Sequence, residues 1–105
     1  MYIQVNIGRN IGNVPMQPNP WESFIAAVQD ALVNHRGSLD LSNLDDLEMH
    51  SGEGTWEDGT IEESLHISGL FRPNYDLDGL RETLKAVRQA YGQEAVALLT
   101  ESELV

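Results

Sequence analysis

Residues 50–68, HSGEGTWEDGTIEESLHIS, decide the fold. Asp58-Gly59 is a favoured hairpin turn, because both residue types tolerate positive φ. The arm after it alternates: Leu65 and Ile67 point one way, and Ser64, His66 and Ser68 the other. The arm before it carries Gly52 and Gly54, which predict a bulge or the close approach of another segment. A simple two-residue turn sets Trp56 opposite Ile61 and Gly52 opposite Leu65, and a bulge shifts that register.

Upstream, Tyr2 to Gly8 alternates as a half-buried strand, with Ile3, Val5 and Ile7 on one face and Tyr2, Gln4 and Asn6 on the other. The stretch from Arg9 to Pro20, rich in Asn and Pro, reads as a loop. A helix follows, with Asn19 as its cap, Pro20 at the first helical position and Glu22 completing an approximate capping box. Trp21, Phe24, Ile25, Val28 and Leu32 form its apolar stripe. Gly37 ends it, with His35 and Arg36 near the negative end of the helix dipole. Gly37 to Met49 admits a short helix capped by Ser42 or a strand through Leu39 and Leu41, and is taken as a connection.

Downstream, a second helix starts near Asp76, with Asp78 in its first turn. Its stripe is Leu77, Leu80, Leu84, Val87 and Tyr91, and Gly92 stops it. Glu94 to Leu99 reads as a short strand buried on both faces, followed by a frayed acidic tail from Thr100 to Val105. The order βαββαβ predicts a single α+β domain over residues 1–105. Its architecture is a ferredoxin-like sandwich: a four-stranded antiparallel sheet, first and third strands central, with two helices on one face.

Charge narrows the function classes. Seventeen acids against six bases leave a net charge of −11, a field that repels a phosphate backbone, so nucleic-acid binding is not expected. Gly37 to Phe71 holds nine acids and no Lys or Arg, whereas Arg81, Lys85 and Arg88 share one later segment. The acidic stretch is a solubilising surface, a face for a basic partner or a mimic of nucleic acid. No apolar run is long enough to span a membrane, and the N-terminus lacks the pattern of a secretory signal. Cysteine is absent, which removes disulfides and thiolate chemistry and agrees with a cytoplasmic setting.

No motif fixes a reaction. There is no dinucleotide or phosphate fingerprint, so no cofactor is expected, and no GxSxG or HExxH. His50 and His66 lie on the two hairpin arms. With Glu53 or Glu63 they would form a two-histidine, one-carboxylate metal site only if the register allowed it, and no metal is expected. Arg9, at a strand end, predicts an ion pair with a carboxylate, or an anion site; Arg72 carries the same two readings. Trp21 and Trp56 are expected to pack the core and the sheet. The open sheet face carries Gln4, Asn6, Ser64, His66 and Ser68.

Gly8-Arg9, Trp21-x-x-Phe24, Gly52-x-Gly54-x-Trp56, Glu62-Glu63-Ser64 and Tyr91-Gly92-Gln93-Glu94-Ala95-Val96 together resemble small uncharacterised ferredoxin-like domains encoded by bacteria and their phages. The resemblance carries over no catalytic residue. It implies the same fold and a grouping of Arg9, Glu63 and Gln93 near the sheet end. The acidic, cysteine-free character also looks like phage accessory proteins that bind host machinery. The leading expectation is therefore a non-enzymatic interaction domain, a homodimer or a binder of a host protein. Its contact surface would be Glu53, Glu57, Asp58 and Glu62 on the acidic hairpin. The alternative is a small enzyme or ligand-binding domain using Asn6, Arg9, Glu63 and His66 around the open sheet face.

Overall fold

The computed structural model describes residues 2–35 and 47–100. Strand β1 (Tyr2–Gly8) leads into two short strands, β2 (Asn10–Ile11) and β3 (Val14–Pro15), then helix α1 (Pro18–Asn34). Strands β4 (Glu48–Thr55) and β5 (Ile61–Leu70) form the hairpin, and helix α2 (Leu77–Ala90) leads to β6 (Ala97–Thr100). The main sheet has the order β4-β5-β1-β6 with every neighbouring pair antiparallel. The expected ferredoxin-like arrangement is the one formed, with β1 and β5 central.

The core follows from two periodicities meeting. Ile3, Val5 and Ile7 on β1 and Leu65 and Ile67 on β5 are buried beneath the stripes Trp21, Phe24, Val28 and Leu32 of α1 and Leu80 and Leu84 of α2. Both helices therefore cover one side of the sheet. Tyr91 stacks on Phe24 at 5.3 Å, and the buried Tyr75 hydroxyl donates to the Leu32 carbonyl, tying the end of α1 to the approach to α2.

Several local expectations are corrected. Helix α1 begins at Pro18, earlier than Asn19 would cap it, and its N-cap Gln17 makes no side-chain cap bond, so the Glu22 capping box does not form. Proline at the first turn is enough to set the backbone there. The expected Arg9–Pro20 loop contains the small β2–β3 ribbon, turned by Gly12 at φ 62°. The Gly37 stop, the Ser42 cap, the Leu39–Leu41 alternation, the acids Asp40, Asp45 and Asp46 and the tail beyond Thr100 lie outside the described residues. His35 does more than meet a dipole. Its Nε2 is 2.7 Å from Thr83 Oγ1 and its Nδ1 is 3.5 Å from Asp76, the residue that caps α2 through Gly79 N–H.

The hairpin turn is longer than two residues. Gly59 N–H donates to the Trp56 carbonyl and Trp56 N–H to the Thr60 carbonyl, leaving Glu57-Asp58-Gly59 as the loop with Gly59 at φ 86°. This is a turn closed by a glycine in the left-handed region. Thr55 therefore faces Ile61 and Gly52 faces Ser64, one residue from the simple pairing, and both arms pair without a bulge. Trp56 is 59% exposed at the tip rather than packed in the sheet, because the hairpin projects past the helices. The last strand is also not buried on both faces: β6 is an edge strand of four residues, mostly exposed.

Candidate functional site

Antiparallel register carries side chains in rows across the open face. One row is His50, His66, Asn6 and Ala97; the next is Gly52, Ser64 and Gly8. Beyond them the hairpin continues to Gly54 and Glu62. Gly8 and Gly52, bare of side chains, flank the Ser64 hydroxyl and leave backbone exposed between the imidazoles and Glu62. A Cβ on Gly8 would lie 2.6 Å from Glu62 Oε2, so the carboxylate lies directly over that glycine. Close backbone approach is what glycine permits.

Asn10 holds the carboxylate there. Its backbone N–H donates to Glu62 Oε2 at 2.8 Å, and its Nδ2 donates to the Ile61 carbonyl at 3.3 Å. Asn10 is only 7% exposed, and among the described residues its buried Oδ1 has no hydrogen-bond partner. A buried acceptor without a donor is unfavourable by about 1–3 kcal/mol, so native structures rarely keep one without a reason. The Tyr2 hydroxyl donates to Gln4 Oε1 and Gln4 Nε2 donates to Asn6 Oδ1, both at 2.8 Å, which orients Asn6 with its amide nitrogen available to donate. His50 Nε2 lies 3.6 Å from Glu48 Oε2.

A second group occupies the helix side of the same sheet end. Arg9 Nη1 meets Glu63 Oε2 at 2.8 Å, Arg9 Nε donates to the Met16 carbonyl at 2.8 Å, and the guanidinium lies 5.9 Å from the Trp21 ring centre. Buried Gln93 approaches the Met16 sulfur at 3.2 Å, so Arg9, Glu63 and Gln93 gather around Met16. With contacts to Glu63, the Met16 carbonyl and the Trp21 ring, Arg9 is a brace between β5, the segment after β3 and α1.

The four ligand candidates thus divide. Asn6 and His66 share the open face, whereas Arg9 and Glu63 are on the other side, because an unbulged β5 keeps Glu63 in phase with Leu65. For the same reason the two-histidine, one-carboxylate arrangement does not form: Glu53 pairs with Glu63 on the far side from His50 and His66. Among the described residues no three metal-ligating side chains gather. Of the four hairpin acids, Glu53, Glu57 and Asp58 are exposed, whereas Glu62 turns inward to Asn10. The Asp58 pKa is lowered from its ordinary 3.8, chiefly by the Thr60 backbone N–H it accepts, which locks the turn. Asn10 escaped sequence reasoning; continuing the Asn6, Gly8 alternation one step past the strand would have found it.

The fold and the site together define the class: a ferredoxin-like α+β domain with a polar, glycine-floored patch at one end of its open sheet face. Among solved structures it is similar to a phage SAM lyase in its apo state, with a TM-score of 0.53 and 18% identity over 92% of this chain and 75% of that one. A phage SAM lyase in complex with S-methyl-5'-thioadenosine aligns with a TM-score of 0.49 and 16% identity over 92% and 76%. No protein-family model and no curated protein sequence matches the chain. At these identities the likeness is one of fold. The expectation of a non-enzymatic protein-binding domain is corrected here: the apo neighbour that shares this architecture over nearly the whole chain is an enzyme. Glu62, expected among the partner contacts, accepts from the Asn10 backbone N–H in the polar patch.

Among the described residues, no helix is long and apolar enough to cross a membrane.

Proposed function

We propose that this domain is a small enzyme or ligand-binding domain that takes a cationic sulfonium ligand of the SAM type at the open sheet end. The carrying observation is the Glu62 carboxylate, seated over Gly8 by the backbone N–H of buried Asn10. The carboxylate presents acceptor oxygens, and the Arg9 guanidinium is committed to Glu63 on the other side. Such a patch suits a ligand that brings positive charge or hydrogen-bond donors. A sulfonium accepts no hydrogen bond and is stabilised by nearby oxygen lone pairs and carboxylate charge, an interaction of about 4 kcal/mol at 4 Å near a protein surface. The net charge of −11 draws cations toward the chain.

Each residue has a role in this reading. Glu62 faces the sulfonium, Asn10 positions that carboxylate through its backbone N–H, and Ser64, His66 and Asn6 contact the polar remainder along the open face. The bare backbone at Gly8 and Gly52 admits the ligand close to the sheet. In an eliminating lyase reaction a base takes a proton from the carbon beside the C–S carbon. That C–H electron pair becomes the C=C bond, and the C–S pair stays on sulfur, which leaves as a neutral thioether. Glu62 and His66, on central strand β5, are the groups we assign to accept that proton; His50 and Glu48 share the face but lie on edge strand β4.

Calorimetric titration with SAM tests the reading, alongside chromatography of SAM incubated with the protein. Saturable binding is expected, weakened at least tenfold by Glu62→Gln, and about as weak for S-adenosylhomocysteine, whose sulfur is neutral. Absence of binding at millimolar SAM, or equal binding of the two compounds, removes the proposal.

A further inference from the structure

The acidity of the chain is interrupted at one place. Arg81, Lys85 and Arg88, half of its six Lys and Arg residues, line one groove between α2 and β6. Their spacing of four and three residues puts them on one helix flank. Leu84, Val96 and Leu98 complete the lining, and the groove holds about 150 Å³. Leu84 is buried, and Val96 and Leu98 are half-buried, so part of the lining is apolar.

The three cations are not equivalent. Arg81 Nη1 is engaged by Asp78 at 3.0 Å. Arg88 Nη1 reaches the carbonyls of Gln93 at 3.4 Å and Glu94 at 3.1 Å, which fixes it at the groove end beside β6. Lys85, between them, has no ion-pair or hydrogen-bond partner among the described residues, although Glu82 is one helical turn away. The groove therefore offers one uncommitted ammonium, a second guanidinium already positioned, and an apolar floor.

We propose that this groove is a binding site for a small monoanion with a short apolar tail, a short-chain carboxylate. The volume is too small for a nucleotide, whose pockets run to about 300–1,000 Å³. One free positive charge matches a carboxylate better than a phosphate dianion, and Leu84, Val96 and Leu98 would have no use for a ligand without carbon. The overall negative charge does not forbid it, because at physiological salt charges beyond about 8 Å are screened while Lys85 lies at the groove itself.

Amide-shift NMR on the intact chain tests this with sodium butyrate, sodium phosphate and sodium chloride at matched ionic strength. Butyrate is expected to give saturable shifts at Lys85, Arg88, Val96 and Leu98, with binding at least fivefold weaker in Lys85→Gln. That variant leaves the packing of Leu84 in place, and its unchanged spectrum elsewhere would show that the fold is kept. Equal shifts with chloride, saturation by phosphate but not butyrate, or an unaltered butyrate affinity in Lys85→Gln overturns the assignment. The SAM titration probes the other side of the sheet, so either proposal can fail alone.

Discussion

Strands β1 and β4 both pair with β5 along antiparallel ladders, yet their surroundings are opposite. In β1 every second residue is buried, Ile3 and Val5 completely. In β4 every residue is exposed. One row makes the contrast plain: Val5, Ile67 and Met49 are register partners across three strands, and their exposures are 0%, 0% and 50%. Hydrogen bonding to a neighbour therefore does not bury a strand. The helices do, and over β4 their cover thins to Gln29 of α1, whose Nε2 lies 3.1 Å from the Met49 sulfur. The Gly8–Gly52 strip is bare for a different reason: it lies on the face away from both helices, and its glycines carry no side chains.

The largest test of this contrast is Ile67→Ala. Removing a fully buried isoleucine is expected to destabilise the domain by about 2–5 kcal/mol. Thermal unfolding followed by circular dichroism should show the midpoint falling by more than about 10 °C. Next comes Gly8→Ala. The added methyl displaces the tip of a flexible Glu62 side chain, not backbone, so stability should change by less than about 1 kcal/mol. SAM binding should nonetheless weaken at least tenfold, because the carboxylate loses its seat; a variant binding as well as the parent would separate Glu62 from the site.

Met49→Ala, in the same row as Ile67, should shift stability by no more than about 0.5 kcal/mol in denaturant unfolding. A loss above 2 kcal/mol would mean that β4 is covered after all and would dissolve the comparison. The smallest effect belongs to Asp58. Its pKa is lowered in the folded chain, so its contribution to the turn is present above the ordinary value of 3.8 and lost as pH falls through the lower folded value. NMR titration of the Thr60 amide should follow that lower pKa, while the β1 and β5 amides stay unmoved.

Legibility in the sequence followed range. Patterns that repeat within a few residues were readable: the two-residue alternation of Tyr2–Gly8 and Leu65–Ile67, and the three- and four-residue spacing from Trp21 to Leu32 and from Leu77 to Tyr91. Asp76 as the cap of α2 and Gly92 as its end were equally local. The candidate site was read less well. Arg9 was expected to pair with a carboxylate, and it does so with Glu63 of the hairpin, 54 residues away; what the sequence left open is that this pair lies on the helix side of the sheet. Glu62, read as part of a charged surface, is claimed by the backbone of Asn10 across the sheet.

The sequence by itself determined the main strands and helices, their order and the buried faces of β1, β5 and the two helices, because side-chain periodicity acts over one or two turns of chain. Only the tertiary structure decided the hairpin register, the side of the sheet that Glu63 occupies and the unmet acceptor on Asn10. Those depend on one extra residue in the Glu57–Gly59 loop and on hydrogen bonds between segments remote in the chain. A single residue of register moves every side chain of a strand to its opposite face.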